Sequence, residues 1–423
     1  MIKKKKIFYG WWIVLASSLI NIVGGGTYIF GFTVFFNPIR QAFNWSAAVT
    51  SLAVSFRGLE SGALEPLVGY LVDKVGPRKL MLFGWGIVGL GFLLMSRMNS
   101  LWQFYGTFLI IGIGFSFGSF VVLTTAIAHW FHKKRSRALG LVYTGTGISG
   151  IIAPLLALSI DRFGWRESLV IVAIASWAIC IPLSTLMRHK PGPYGYLPDG
   201  ETRETIPEPE AVSKGAAEHE SGSSATGFTA KEAIKTRVFW LFSCVFLFQH
   251  IATSAVMVHI VPYLESVNIP SAIAATVVTG MTLCSLIGRL GFGFLGDFTN
   301  KKLLLAIALA IQTIGLLIFS FADVSKAWLI VLFLLTYGPG YAGTIPLRPA
   351  LQADYFGIRS FGTIMGWIAF ISMVGGLVSP VFAGWVYDTT GSYRLVWQLF
   401  ALTTIPAIAF VFLLKPPRVK KQP

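Results

Sequence analysis

Gly69-Tyr-Leu-Val-Asp73-Lys-Val-Gly76-Pro-Arg78-Lys79-Leu-Met81 is a short polar interruption between two apolar stretches. It recurs as Gly293-Phe-Leu-Gly-Asp297-Phe-Thr-Asn300-Lys301-Lys302 in the second half of the chain. The chemistry of the motif is readable. A glycine at 69 or 293 lets two helices approach closely, and Asp73 or Asp297 is suited to cap the positive N-terminal end of a neighbouring helix. Gly76 supports a tight turn, and Arg78 and Lys79 hold the loop in water. In the second copy Asn300 stands where the turn glycine was, and Asn tolerates the left-handed conformation. Two further pairs, Ala153-Pro154 with Ser379-Pro380 and Asp161-x-x-Gly164 with Asp388-x-x-Gly391, recur in the same order at nearly the same offset. The chain is therefore read as two parallel copies of one unit.

Composition sets the solvent. The chain is 54% hydrophobic and only 12% charged, against about 25% charged residues in soluble domains. A hydrocarbon layer about 30 Å thick is crossed by about 20 apolar residues in a helix. The expected spans are 8–34, 47–71, 79–97, 101–129, 138–160, 168–187, 237–264, 271–295, 302–321, 327–352, 362–386 and 394–414. They are too long for barrel strands, so the fold class is an all-α membrane protein. Twelve transmembrane helices fall into two pseudo-symmetric halves, residues 1–187 and 237–423. Met1 to Lys6 followed by a long apolar run is read as an uncleaved first span. Cys180, Cys244 and Cys284 lack metal-ligand spacing and are read as small core residues.

The net charge of +16 would suggest nucleic acid in a soluble protein, but its distribution points elsewhere. With both termini placed in the cytoplasm, most of the 34 Lys and Arg residues fall on the inner side, among them Lys3 to Lys6, Lys74, Arg78, Lys79, Lys133 to Arg135, Arg137, Lys301 and Lys302. This is the positive-inside pattern, and a nucleic-acid partner is not expected. Residues 188–236, rich in Pro, Glu, Gly and Ser, read as a cytoplasmic linker too polar to span and too poor in apolar residues to pack. A short surface helix is expected within 228–239.

The 69–81 stretch resembles the signature loop between the second and third helices of the major facilitator superfamily. FYGWWIVLASS at 8–18, RALGL at 137–141, HIVPYLESVNI at 259–269, GTIPLRPAL at 343–351 and YFGIRSFGTIMG at 355–366 resemble the monocarboxylate transporter and oxalate:formate antiporter group. In that group an arginine of the eighth helix faces a central cavity and binds the substrate carboxylate, and Arg289, followed by Gly293 and Asp297, matches it. Two departures stand out. Ser285 occupies the position of the aspartate that animal members carry four residues before the arginine. Residues 362–382 hold no Lys or Arg, where the oxalate antiporter pattern adds a second cation. The resemblance to bacterial members implies the cytoplasmic membrane.

A charge inside a span is costly unless it faces water or a partner, so intramembrane charges nominate the site. Arg289 is expected to grip an anion with two hydrogen bonds. Arg348 lies between Pro346 and Pro349, which are expected to break the tenth helix; its roles as site residue, gate or packing residue stay open. Arg57 and Glu60 share a helix face and read as a neutralising pair or, for Glu60, a proton-linked residue. Glu65 aligns with Arg289 under the repeat and is expected in a charge network beside the loop. His250 and His259 on the seventh span are candidate proton or substrate residues. Tyr28, Tyr143 and Tyr341 are candidate hydroxyl partners for a carboxylate, and Gly24 to Gly26 are expected to be close-packing positions.

The resulting expectation is a secondary carrier of a small organic anion, a monocarboxylate such as lactate or pyruvate, by proton symport and alternating access. Anion exchange, efflux of amphipathic compounds and, outside transport, a membrane sensor are the alternatives. No nucleophile–base set, metal cluster or phosphate loop suggests an enzyme or a cofactor.

Overall fold

The computed structural model describes residues 7–118, 120–201 and 227–417, and within them all side chains except those of 47, 48, 51–61, 271, 272 and 275. Long helices dominate. In chain order they are α1 (Tyr9–Phe43), α2 (Ala47–Val75), α3 (Pro77–Ser96), α4 (Leu101–Trp130), α5 (Arg135–Phe163), α6 (Trp165–Thr185), α7 (Arg237–Ser266), α8 (Ser271–Phe298), α9 (Lys301–Phe319), α10 (Trp328–Phe356), α11 (Phe361–Thr390) and α12 (Arg394–Leu413). Eleven meet the length and hydropathy expected of a membrane span. The other, α2, is 29 residues long and carries Arg57, Glu60 and Glu65 in its interior. Leu155, Leu158, Val378, Val381 and Trp385 are among the large apolar side chains left on the outer surface, where lipid is the natural solvent.

Local sequence explains several boundaries. Gly76, with φ +89, and Gly164, with φ +86, make turns that an L side chain resists. The linker end supplies Thr229, whose hydroxyl and Glu232 form a capping box on a short helix, Ala230–Ile234, and Thr236 then caps α7. This is the short helix expected within 228–239.

Three expectations need correction. The first helix runs past residue 34 to Phe43, through a π turn at Gly25–Phe30, and stops at a left-handed Asn44. Asn300 is not left-handed. Its φ is −63, and its side chain caps α9 by accepting from the Lys302 and Leu303 amides. Pro339, Pro346 and Pro349 do not break α10, which is one continuous element. Each proline forgoes one donor, and close neighbours hold the helix: a Cβ on Gly340 would lie 2.5 Å from the Gln312 amide nitrogen, and one on Gly343 2.5 Å from the Phe292 ring.

The linker is also better packed than its composition suggests. Asp199 accepts from the amides of His132 and Lys133 at 3.0 and 2.7 Å and of Lys134 at 3.0 Å. Arg188 lies over the rings of Tyr9 and Tyr194, and its carbonyl accepts from Trp130. Polar caps and two tyrosines thus seat residues 188–201 on the first half, where apolar burial alone would not. The basic runs at Lys3 to Lys6 and beyond residue 417, and linker residues 202–226, lie outside the described residues.

Each half has its own core. The core of the first half includes Trp85, Phe104, Trp130 and Tyr143. It continues into Ala350 and Ala353 of α10 and Phe361 and Met365 of α11, so the halves share packing at the loop-motif end, called here the basic end. The second half holds two clusters, one around Tyr263, Phe319, Phe333 and Trp397 and one around Phe239, Phe246 and Leu305. Between halves α2 packs on α11 and α5 on α8.

Candidate functional site

The two loop motifs act as helix caps across the interface. Asp73 Oδ1 accepts from the Gly362 amide at 2.9 Å, and its Oδ2 accepts from the Thr363 amide and hydroxyl at 2.8 and 2.7 Å. The carboxylate therefore sits on the positive end of α11. Asp297 does the same for α5, accepting from the Ser136 amide at 2.9 Å and from Arg137 Nε at 3.2 Å. Gly69 faces the Gly362 carbonyl, and a Cβ on Gly140 would lie 2.6 Å from the Arg289 carbonyl. Arg78 is exposed at the start of α3. Asp354 of α10 joins this end through Lys301 at 2.7 Å and Arg135 at 3.5 Å. A single repeat thus builds two symmetric latches at the basic end.

Further into the bundle the polar groups thin out and become unpaired. Arg289 projects from α8 against α5, is 6% exposed, and donates Nη1–H to the Tyr143 carbonyl at 2.9 Å. Its Nε is buried without a hydrogen-bond partner, and among the described residues no carboxylate pairs with it. A carbonyl oxygen orients a guanidinium but does not neutralise it, so donors remain for an anion. Gly147 sets the clearance, since a Cβ there would lie 2.5 Å from Arg289 Nη1.

Tyr143 is the centre of this cluster. Its hydroxyl lies 2.6 Å from that of Thr124, and its side chain is within electrostatic reach of both Arg348 and Glu65. Arg348 comes from α10, lies over the Phe246 ring at 5.0 Å, and has buried Nε and Nη2 without partners. Glu65 comes from α2; its Oε2 is buried and unpartnered. His250 of α7 packs beside Gly376 of α11, within electrostatic reach of Arg348.

The structure thus brings Arg289, Tyr143, Arg348 and His250 together and sets three other candidates apart. His259 lies between the Pro380 carbonyl at 2.9 Å and the Tyr393 hydroxyl at 3.1 Å, within the second half. The carbonyl only accepts, so Nε2 carries the proton toward it. Tyr28 is in the aromatic core of the first half beside Phe108 and Phe115. Tyr341 stacks on Tyr337 in the core of the second half. The side chain of Glu60 lies outside the described residues. Gly25 and Gly26 are close-packing positions, their α-carbons facing Ser149 and Ile152 of α5.

Glu65 was expected in a charge network from its alignment with Arg289 under the repeat. One feature the sequence did not mark is a neutral network in which Gln249 donates to Thr253 and Thr344, and Gln312 donates to Thr253. It ties α7, α9 and α10 together. Its members are uncharged residues scattered over three helices, and no motif marks them.

Comparison with known proteins agrees with this architecture. A family model described as Major Facilitator Superfamily matches residues 16–267 and 242–423. Monocarboxylate transporter 12 of Xenopus laevis is 24% identical, over 98% of this chain and 91% of its own length. The oxalate:formate antiporter of Oxalobacter formigenes is 22% identical, over 96% of this chain and 91% of its own length. Among solved structures, the proton:xylose symporter XylE superposes with a TM-score of 0.75 at 16% identity, covering 96% of this chain and 95% of that one. The human organic anion transporter MFSD10 superposes at 0.69 with 14% identity, covering 95% and 99%. Such distant structural likeness speaks for the fold alone.

Proposed function

The chain belongs to the Major Facilitator Superfamily, and from that premise we propose that it carries a small organic monocarboxylate together with a proton across the cytoplasmic membrane of a bacterium. It is a multi-pass membrane transporter, not an enzyme. The observation that carries the substrate reading is Arg289, a buried guanidinium between the halves, tethered to a backbone carbonyl and, among the described residues, unneutralised. An anion of lactate or pyruvate size takes the remaining donors in a bidentate grip. Carriers built from parallel repeats place their substrate at such an interface.

Positive-inside charge puts the basic end in the cytoplasm. The latches at Asp73 and Asp297 then form the inner gate, and this conformation is closed to the cytoplasm. Rocking of the halves requires both caps to release together. A proton accompanying a monoanion makes the cycle electroneutral.

The test is uptake of labelled lactate, pyruvate and formate into proteoliposomes under an inward proton gradient. Arg289→Ala should lower uptake about a hundredfold or more, the loss of two charge-assisted hydrogen bonds, and Arg289→Lys should recover little of it. Undiminished uptake by Arg289→Ala would sink the carboxylate reading. Arg348, a second cation with buried and unpartnered nitrogens, favours one alternative, exchange of one organic anion for another. Counterflow that needs internal anion and ignores a pH gradient would establish it.

A further inference from the structure

We propose that Glu65 is the proton-binding residue of this carrier, an inference that rests on the anion-carrier reading above. Among the described residues it is the sole carboxylate with a buried oxygen that lacks a hydrogen-bond partner. The other described acidic side chains near the interface are already engaged. Asp73 and Asp297 cap helices, and Asp354 is paired with Lys301 and Arg135. Glu65 has none of these uses.

Its setting is what proton coupling needs. Glu65 belongs to the first half and Arg348 to the second, and the two lie within electrostatic reach of each other without forming an ion pair. Both present unpartnered polar atoms. Among the described residues, Tyr143 of α5 is the other titratable group within electrostatic reach of Glu65. From α11 it is faced by a glycine, since a Cβ on Gly366 would collide with the Glu65 backbone carbonyl. On its own helix the nearest described charges are Asp73 and Lys74, two turns and more toward the basic end.

The consequences follow from Coulomb's law in a poorly solvated site. Ionised Glu65 attracts Arg348 across the interface and holds α2 and α10 in register. A substrate carboxylate arriving at Arg289, beside the same Tyr143, is a like charge and competes for the same cations. Glu65 then takes up a proton from water, its attraction for Arg348 is lost, and the halves are free to rock. After the anion leaves on the other side, Glu65 returns the proton to water there. One anion and one proton move, and no net charge crosses.

The experiment separates movement of substrate from its coupling. In proteoliposomes, Glu65→Gln should keep counterflow of whichever of lactate, pyruvate or formate the wild type carries, within about threefold, and should lose accumulation driven by an inward proton gradient at least tenfold. The dependence of wild-type counterflow on pH should vanish in this variant. Glu65→Asp should retain gradient-driven accumulation with a displaced pH profile. Gradient-driven accumulation by Glu65→Gln at the wild-type level overturns the proposal. Equal loss of counterflow and accumulation in both variants overturns it too, because Glu65 then serves substrate binding or the fold. If Arg289→Ala keeps full counterflow while Glu65→Gln splits the two activities, the carboxylate site fails and the proton assignment stands. Absence of accumulation of all three acids by the wild type overturns both.

Discussion

Arg289 and Gly147 illustrate how one residue depends on the absence of another. The guanidinium occupies the space that a side chain at 147 would take, and Leu286 bounds the same space, so that a Cβ there would displace one or the other. Gly147→Val should therefore displace the guanidinium from the Tyr143 carbonyl and lower uptake at least about tenfold, while the melting temperature falls by no more than a few degrees, as expected for about 1–2 kcal/mol of overpacking. Uptake and thermal unfolding of the same preparation decide it; wild-type uptake by Gly147→Val would show that the guanidinium works from another position. Arg289 itself was legible because a charge in an apolar run is rare and costly. Glu65 was visible in the same way, but sequence spacing does not reveal whether a carboxylate has a partner. That depended on α10 bringing Arg348 near it.

At the scale of elements, two helix N-termini at the basic end are each held by a carboxylate from the other half, α11 by Asp73 and α5 by Asp297. The approach to α5 is held a second time, from the linker, where Asp199 accepts three successive backbone amides. Lys133 reinforces this contact through Glu201 at 2.6 Å, an exposed pair that contributes little by itself. Asp199→Asn keeps the shape and removes the charge. It should cost about 1 kcal/mol, read as a lower melting temperature, while the substrate KM stays unchanged because the strap is remote from Arg289. An unchanged melting temperature would mean that residues 188–201 rest on the first half without holding it. Composition marked this segment as unable to pack, which holds for burial of apolar area and misses the capping of exposed amides.

The whole molecule is two six-helix bodies in contact from the centre to the basic end. Gly296 and Ser136 offer a direct test of that state, because a Cβ on Gly296 would lie 2.8 Å from Ser136 Cβ. A disulfide needs Cβ atoms about 3.8 Å apart, within small adjustment of this geometry. With Cys180, Cys244 and Cys284 replaced by alanine, Ser136→Cys combined with Gly296→Cys should cross-link on mild oxidation, stop transport, and recover on reduction. Cross-linking that leaves transport intact would show that the α5–α8 contact does not open during the cycle.

The sequence by itself determined the solvent, the helix class, the repeat and the basic end, because each follows from local composition or from spacing that survives along the chain. It also marked Arg289, since a cation within an apolar span is legible without coordinates. Only the tertiary structure decided which charges stay unpaired and which are consumed. Asp73, Asp297 and Glu65 are all acidic residues in or beside spans, yet the first two cap helices and the third does not. That difference arises from neighbours hundreds of residues away along the chain, and so does the setting apart of His259, Tyr28 and Tyr341 from the central cluster.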